Sequence, residues 1–415
     1  MMLLIVVAYT VLAAWAPRVW AVSIPQIALF AAVLAFAFKR LRAGVALRFP
    51  LFLTAPVAIA AIGSMQLVMH WTVYRLPTAN AALDWAGYAA CGWLAAQMRL
   101  TREQLDRSLT WCCVLAGTVG ALAIATALTS PFHIFWLIPV RFEQVFGPYV
   151  YRNHLAAFAE LTLPIVIFQA IRQRERRGLF ITAAAVLVSS VVIAASRTGV
   201  VLLALELLLL LVLATWKRWL APKSAMLFSV LLIAAVLAGA AAVGTTALGN
   251  RFVEDHPYRV RFEILQSTLD MARARPLTGF GLGNFRTVYP EYSRIDPGVL
   301  VNEAHNDWAQ WAAEGGLPAA FAMLLFAGWA VGVGMRKGWA VGIAAVCCHA
   351  LVDYPFEEPS VVLLLMLLAG LAWQCGGDEE TPRLHRRTAQ QRSRPTVPES
   401  LRSWADPVAH ARRAE

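Results

Sequence analysis

Apolar runs of roughly 16–25 residues recur along the whole chain, and each is about the length that crosses a bilayer as a helix. In hydrocarbon every backbone N–H and C=O must be paired within the protein, so only helices or closed barrels can span. A barrel needs short alternating strands, and these runs are continuous. Charge is sparse: 59% of the 415 residues are hydrophobic and 15% are charged, with a mean hydropathy of +0.60. A soluble domain carries more charge than that. The expected fold is an all-α polytopic membrane protein with about twelve transmembrane helices. They are expected near residues 2–16, 19–38, 50–69, 80–98, 109–129, 153–171, 179–195, 199–215, 224–247, 317–335, 338–352 and 359–375. The first run ends at Pro17, and its "AAWA" looks like a signal-peptide cleavage site. No basic residue precedes it, so an uncleaved helix is preferred.

Lysine and arginine set the orientation. Alternate loops hold "KRLRAGVALR", "RLTREQLDR", "RQRERR", "WKRWLAPK", "MRKG" and the arginine-rich tail, which together contain 24 of the 36 basic residues. The other loops hold 12, seven of them in one long segment, 249–306. Both termini are therefore expected to be cytoplasmic. Segment 249–316, between the ninth and tenth helices, is expected outside as a periplasmic loop with short helices. The formal charge of +11 is mostly this topology signal. Basic clusters split among short loops argue against nucleic acid. Cys91, Cys112, Cys113, Cys347, Cys348 and Cys375 fall in or beside expected spans and suggest neither a disulfide framework nor a zinc site. Residues 1–375 form the expected transmembrane domain. Residues 376–415, with four prolines, read as a disordered basic cytoplasmic tail. Its arginines either touch anionic lipid headgroups or simply solubilise the end.

Between Gly178 and Lys217 the only charged residues are Arg197 and Glu206. Arg197 divides two apolar blocks whose far flanks are both basic. The pair therefore reads as a tight hairpin with Ser196-Arg197-Thr198-Gly199 at its outer turn, Gly199 supplying the unusual backbone angles. Arg197 then either snorkels to lipid phosphates or faces a ligand.

Residues 257–274 read as an amphipathic helix with Pro257 in its first turn. Val260, Ile264, Leu265, Thr268, Met271 and Ala272 form its apolar stripe. Arg259 with Glu263, and Asp270 with Arg273, have the spacing of surface pairs. Arg261 sits at the stripe's edge without a local carboxylate and should point toward whatever the helix packs on. Arg275 follows at the helix end, where a macrodipole role is the plain explanation. Gly279, Gly281 and Gly283 invite a dinucleotide reading, but no strand precedes them, so a tight backbone-rich turn is expected. Further on, Asn302 is expected to cap a short helix that ends at Gly315-Gly316, with Pro318 opening the next span. That places His305 in its first turn, and Ala304, Trp308 and Trp311 on a face lying in the headgroup layer.

A neutral imidazole accepts a proton near pH 7, and guanidinium groups grip phosphate oxygens through paired hydrogen bonds. Arginines and one histidine at the outer surface suit glycosyl transfer from a lipid-pyrophosphate donor, driven by positioning and electrostatics. A divalent ion would call for clustered carboxylates. The chain has no Asp-x-Asp pair, so neither metal nor cofactor is expected.

Five patches, "YRNHLAAFAEL", "ASRTGV", "RFEILQSTLDMARARPLTGFGLGNF", "EAHNDWAQWAAEGGL" and "HALVDYPFEEP", together resemble the O-antigen ligase superfamily over roughly residues 150–375. That superfamily also holds O-antigen polymerases and O-linked oligosaccharyltransferases. The resemblance implies a GT-C-type, metal-independent inverting transferase of the bacterial inner membrane, with its active site periplasmic. Its donor would be an undecaprenyl-pyrophosphate-linked glycan, and its acceptor lipid A–core or another glycan. It implies that Arg197 and Arg261 contact the diphosphate and that His305 is the base. Many relatives carry Trp three or four residues after the second arginine; this chain has Ile264 and Leu265.

The substrate-binding candidates are Arg152, Asn153, His154, Arg275, Asn306 and Asp353. Arg152, Asn153 and His154 begin a span and either line the donor site or anchor the interface. Asp353, in the last outer turn with Glu357 and Glu358, either orients Arg197 or Arg261 or is simply solvated. Glu160 and Glu206 fall inside spans, where ionisable groups are costly, and either pair with a helix partner or are protonated. His133 and His349 are read as structural. A ligase is preferred over a polymerase, a protein oligosaccharyltransferase or a transporter. A transporter should cluster its ionisable residues at midplane and often repeats a broken span between halves; neither pattern is seen.

Overall fold

The computed structural model describes residues 1–16, 18–140, 144–219, 256–295 and 300–374, with isolated residues 230, 234 and 298. Thirteen α-helices lie among the described residues. They are α1 Met2–Leu12, α2 Arg18–Arg42, α3 Thr54–Val68, α4 Arg75–Gln97, α5 Arg102–Thr129, α6 Arg152–Arg172, α7 Arg177–Ile193 and α8 Arg197–Trp216. They continue with α9 His256–Ala274, α10 Phe285–Tyr292, α11 Asp307–Arg336, α12 Val341–His349 and α13 Pro359–Gln374. A two-stranded hairpin, β1 His133–Ile134 with β2 Ile138–Pro139, lies between α5 and α6.

Seven of the described helices are long and apolar enough to cross a membrane, and three more are shorter apolar helices. The chain is an all-α polytopic membrane protein. Each expected span except 224–247 coincides with a described helix. That span, residues 249–255, Cys375 and the tail 376–415 lie outside the described residues.

Helices in a bilayer gain little from apolar burial and associate through close packing and small residues. Helix α6 is the centre of the bundle: 94% of its best 18-residue window is buried, against 33% for α8. Helices α5, α7, α8 and α12 pack around it. Helix α13 is nearly as enclosed and packs against α4. At the α6–α8 crossing a Cβ added to Gly199 would lie 2.4 Å from Ala156 Cβ. At the α6–α12 crossing one added to Gly342 would lie 2.2 Å from the Glu160 carbonyl oxygen. Beside it Glu160 meets His349 Nδ1 at 2.9 Å, both side chains fully buried. Both residues thus find a partner across helices.

Helix starts α4, α6, α8, α11 and α13 gather at one end of the bundle with the ends of α3, α7 and α12. At the other end Arg40, Arg48 and Arg99 line one cavity, Arg172 pairs with Asp106 at 3.0 Å and Lys217 caps the Arg336 carbonyl at 3.2 Å.

Three local expectations need correction. The α7–α8 turn runs through Ala194-Ala195-Ser196, with Ala195 at φ +50°. Ser196 is the N-cap, its Oγ accepting from Gly199 N at 3.1 Å. Gly199 therefore serves helix contact, not the turn, and Arg197 is the first residue of α8. Asn306, not Asn302, caps α11, accepting from Ala309 N at 2.9 Å. His305 therefore precedes the helix, with φ +50°. Third, the face carrying Trp308 and Trp311 packs inside the protein. Trp311 is buried against Phe356, ring centroids 5.0 Å apart, and Trp308 Nε1 donates to the Cys347 carbonyl at 3.1 Å. Helix α11 breaks at Gly316 (φ 73°, ψ 179°), where the sequence places its glycine pair.

Candidate active site

Asp353 lies in the turn between α12 and α13, and its side chain is only 1% exposed. Four elements converge on it. Helix α6 brings Asn153, whose Nδ2 donates to Oδ2, and its N-cap residue Tyr151, whose hydroxyl stands 3.2 and 3.3 Å from the two carboxylate oxygens. Helix α9 brings Arg261, with Nη2 3.4 Å from Oδ2. The loop before α11 brings His305, with Nδ1 3.3 Å from Oδ1. The turn itself contributes the Tyr354 N–H at 3.1 Å.

These groups also hold one another. Arg261 Nη2 donates to the Tyr151 hydroxyl at 3.1 Å, and Nη1 to the Val352 carbonyl at 3.2 Å. Asn153 accepts from the Ser196 hydroxyl at 2.7 Å. Ser196 immediately precedes Arg197, so the start of α8 joins the network through its cap residue. Tyr354 stacks on Tyr151 at 5.1 Å and packs edge-on against His154 and His305 at 5.2 and 5.0 Å.

Burial acts to raise the Asp353 carboxyl, but the hydrogen bond from His305 and the charge of Arg261 outweigh it and hold the group well below the usual carboxylate range. Asp353 is thus an acceptor-only anion, and the His305 nitrogen facing it is the one that carries a hydrogen. Burial, then the Asp353 charge, push the Tyr151 phenol up, so it remains a donor.

The backbone around the site is fastened independently. Asp307, buried, accepts from Phe356 N at 3.0 Å, and its own N–H donates to the Ala350 carbonyl at 2.9 Å. Asn306 Nδ2 donates to the Leu351 carbonyl at 2.7 Å, so this residue anchors the Asp353 turn. The glycine loop after α9 makes the expected tight turn, with Gly279, Gly281 and Gly283 all at positive φ. Glu314 holds it, accepting from Gly283 N at 2.9 Å and Phe285 N at 2.6 Å. Gln66 on α3 accepts from Leu282 N and donates to the Thr278 carbonyl.

Of the expected residues, Arg261, His305, Asn153 and Asp353 meet directly. Arg197 follows Ser196, whose hydroxyl donates to Asn153. Arg152 starts α6 beside Asn153, and His154 pairs with Glu358 at 3.3 Å. Arg275 goes elsewhere: it stacks over Phe280 at 4.4 Å and donates to the Trp71 carbonyl at 3.5 Å, fastening the glycine loop to the α3–α4 connection. Sequence reasoning missed Tyr151, Gln66 and Glu314, while Tyr354 belongs to the Asp353 turn that it marked. Tyr151 stood beside the flagged Arg152-Asn153-His154 triplet; nothing in the spacing marks Gln66.

Comparison with known families gives one match, residues 182–324, to the family described as O-antigen ligase. No curated protein matches the chain. The matched segment holds Arg197, Arg261 and His305; Tyr151 and Asp353, which contact Arg261, lie outside it, as does Asn153. Over that segment the chain is similar to the family described as O-antigen ligase.

Proposed function

We propose that this protein is an O-antigen ligase of the bacterial inner membrane, moving a glycan from undecaprenyl pyrophosphate to a hydroxyl of lipid A–core. The reading places the Asp353 end of the bundle at the periplasmic face and both termini in the cytoplasm. The arginine-rich opposite end of the bundle supports this by the positive-inside rule.

One observation carries the chemistry: a single buried carboxylate holds both a histidine and an arginine, at 3.3 and 3.4 Å. His305 Nε2 takes the proton of the acceptor hydroxyl as its oxygen attacks the anomeric carbon. The bond from that carbon to the diphosphate breaks, with inversion, and undecaprenyl pyrophosphate leaves. Arg261 and Arg197 receive the negative charge that develops there. Arg261 spends three N–H contacts on Asp353, Tyr151 and Val352. Its five-donor fork keeps others for phosphate oxygens, and 29% of its side chain remains exposed. Asp353 keeps the imidazole oriented, as a carboxylate does in a hydrolase triad.

The test is gene deletion with lipopolysaccharide and glycoprotein profiles. Bare core with accumulating lipid-linked polymer is the expected result. Core bearing a single repeat would replace the ligase with a polymerase, and loss of protein glycosylation alone would indicate a protein oligosaccharyltransferase.

A further inference from the structure

The end of the bundle away from Asp353 holds a cavity of about 410 Å³. Helix α13 starts just past Asp353 and runs 16 residues to Gln374, which lines this cavity. At 1.5 Å per residue that helix separates the two sites by roughly 24 Å, too far for one phosphate group to reach both.

Three arginines from three elements line the cavity: Arg40 in the last turn of α2, Arg48 between α2 and α3, and Arg99 between α4 and α5. None of its described lining residues is Asp or Glu. Glu103 and Asp106, in the first turns of α5, are engaged by Arg107 and Arg172. Thr101, also in the lining, is the N-cap of α5, so the positive end of a 28-residue helix adds to the same field.

Arginines at a membrane surface commonly reach out one by one to lipid phosphates. Here their backbones are fastened around one space. Gln97, only 5% exposed, accepts from Arg48 N at 3.4 Å and donates to the Arg48 carbonyl at 2.6 Å. Trp93 Nε1 donates to the same carbonyl at 3.0 Å. Gln374 accepts from Leu100 N at 3.2 Å and so fixes the peptide that follows Arg99. Arg40 lies over the Phe36 ring at 5.4 Å, and its Nε is buried without a hydrogen-bond partner. Like charges held together repel, and an enclosed donor without an acceptor is costly. A phosphate relieves both, because its oxygens match the guanidinium fork. Trp373, 41% exposed, and Leu100 give the cavity an apolar border of the kind found at a membrane surface.

We propose that this cavity binds a phosphate group, carried by the headgroup of an anionic lipid or free in solution. The site stands apart from the transfer reaction and does not depend on it.

The full chain is purified in neutral detergent, and its thermal midpoint is followed as phosphatidylglycerol, phosphatidylcholine or sodium phosphate is added at constant ionic strength. A ligand held by the folded state alone raises the midpoint. Phosphatidylglycerol should raise it by several degrees. In Arg48→Gln, at an exposed position where truncation leaves the fold intact, the concentration giving half that rise should increase about tenfold. Arg40→Gln combined with Arg48→Gln should increase it further. Arg107→Gln removes the same charge from the same end of the bundle but outside the cavity, and should leave it unchanged. A rise with sodium phosphate equal to that with phosphatidylglycerol assigns the site to free phosphate; a rise with the lipid alone assigns it to a headgroup. No rise with either, an equal rise with phosphatidylcholine, or an equal loss in Arg107→Gln and Arg48→Gln overturns the site.

Discussion

The turn from Asp353 to Glu358 has opposite chemistry on its two sides. On one, Asp353 gathers Arg261, His305, Tyr151 and Asn153, and its negative charge is compensated. On the other, Phe356 and Glu357 face a cavity whose ionisable lining residues are all acidic. On the reading proposed above, the first side serves a diphosphate and a proton transfer.

The sharpest way to break that contrast is Asp353→Asn. The amide leaves Arg261 without its counter-charge and His305 without its orienting anion. Transfer should fall by about 10³–10⁴-fold, as when the orienting carboxylate of a catalytic triad is replaced. Initial rates in proteoliposomes measure this, and a rate within tenfold of wild type would strip Asp353 of its role. The wild-type carboxyl is held below its ordinary value, so its stabilisation is present above the unfolded pKa and is lost only as pH falls through the lower native one. Thermal stability should therefore show no Asp353 transition between about pH 5 and 8.

Arg261→Lys keeps the charge but not the fork. It should cost about 10²-fold in rate, a single oxyanion donor's worth, and raise the donor KM rather than the acceptor KM. A change confined to acceptor KM would take Arg261 off the donor. Gly199→Ala, away from both, should destabilise by about 1–3 kcal/mol through overpacking against Ala156. Thermal unfolding in detergent would show it, and an unaltered midpoint would mean that α8 shifts freely on α6. The smallest effect belongs to Glu314→Gln. One acceptor of the glycine loop is lost, about 1 kcal/mol, and amide exchange at Gly283 and Phe285 should quicken several-fold.

Spans were legible because the bilayer imposes length and apolarity, with no tertiary knowledge needed. That Arg261 and His305 meet at one carboxylate was legible because an arginine or histidine beside an apolar run demands a reason. Asp353 was harder, since an acidic residue in a "DYPFEEP" turn looks solvated; only the fold buries it. Gly199 was misplaced because glycine spacing does not distinguish a turn from a helix contact. Asn302 and Asn306 are both good caps, and the choice depended on Asn306 also reaching the Leu351 carbonyl, which is distant in sequence. Tyr151, Gln66 and Glu314 act through partners tens to hundreds of residues away, and no local pattern encodes those.

The buried Glu160–His349 contact has a consequence for register. Helix α6 carries Asn153 at one end, and the residue four past His349 is Asp353, whose N–H donates to the His349 carbonyl at 3.1 Å. A slip of α12 along α6 by one helical turn, about 5.4 Å, would separate Asn153 from Asp353 and Glu160 from His349 in the same movement. A polar lock inside the bundle thus indexes two helices whose working ends meet at Asp353.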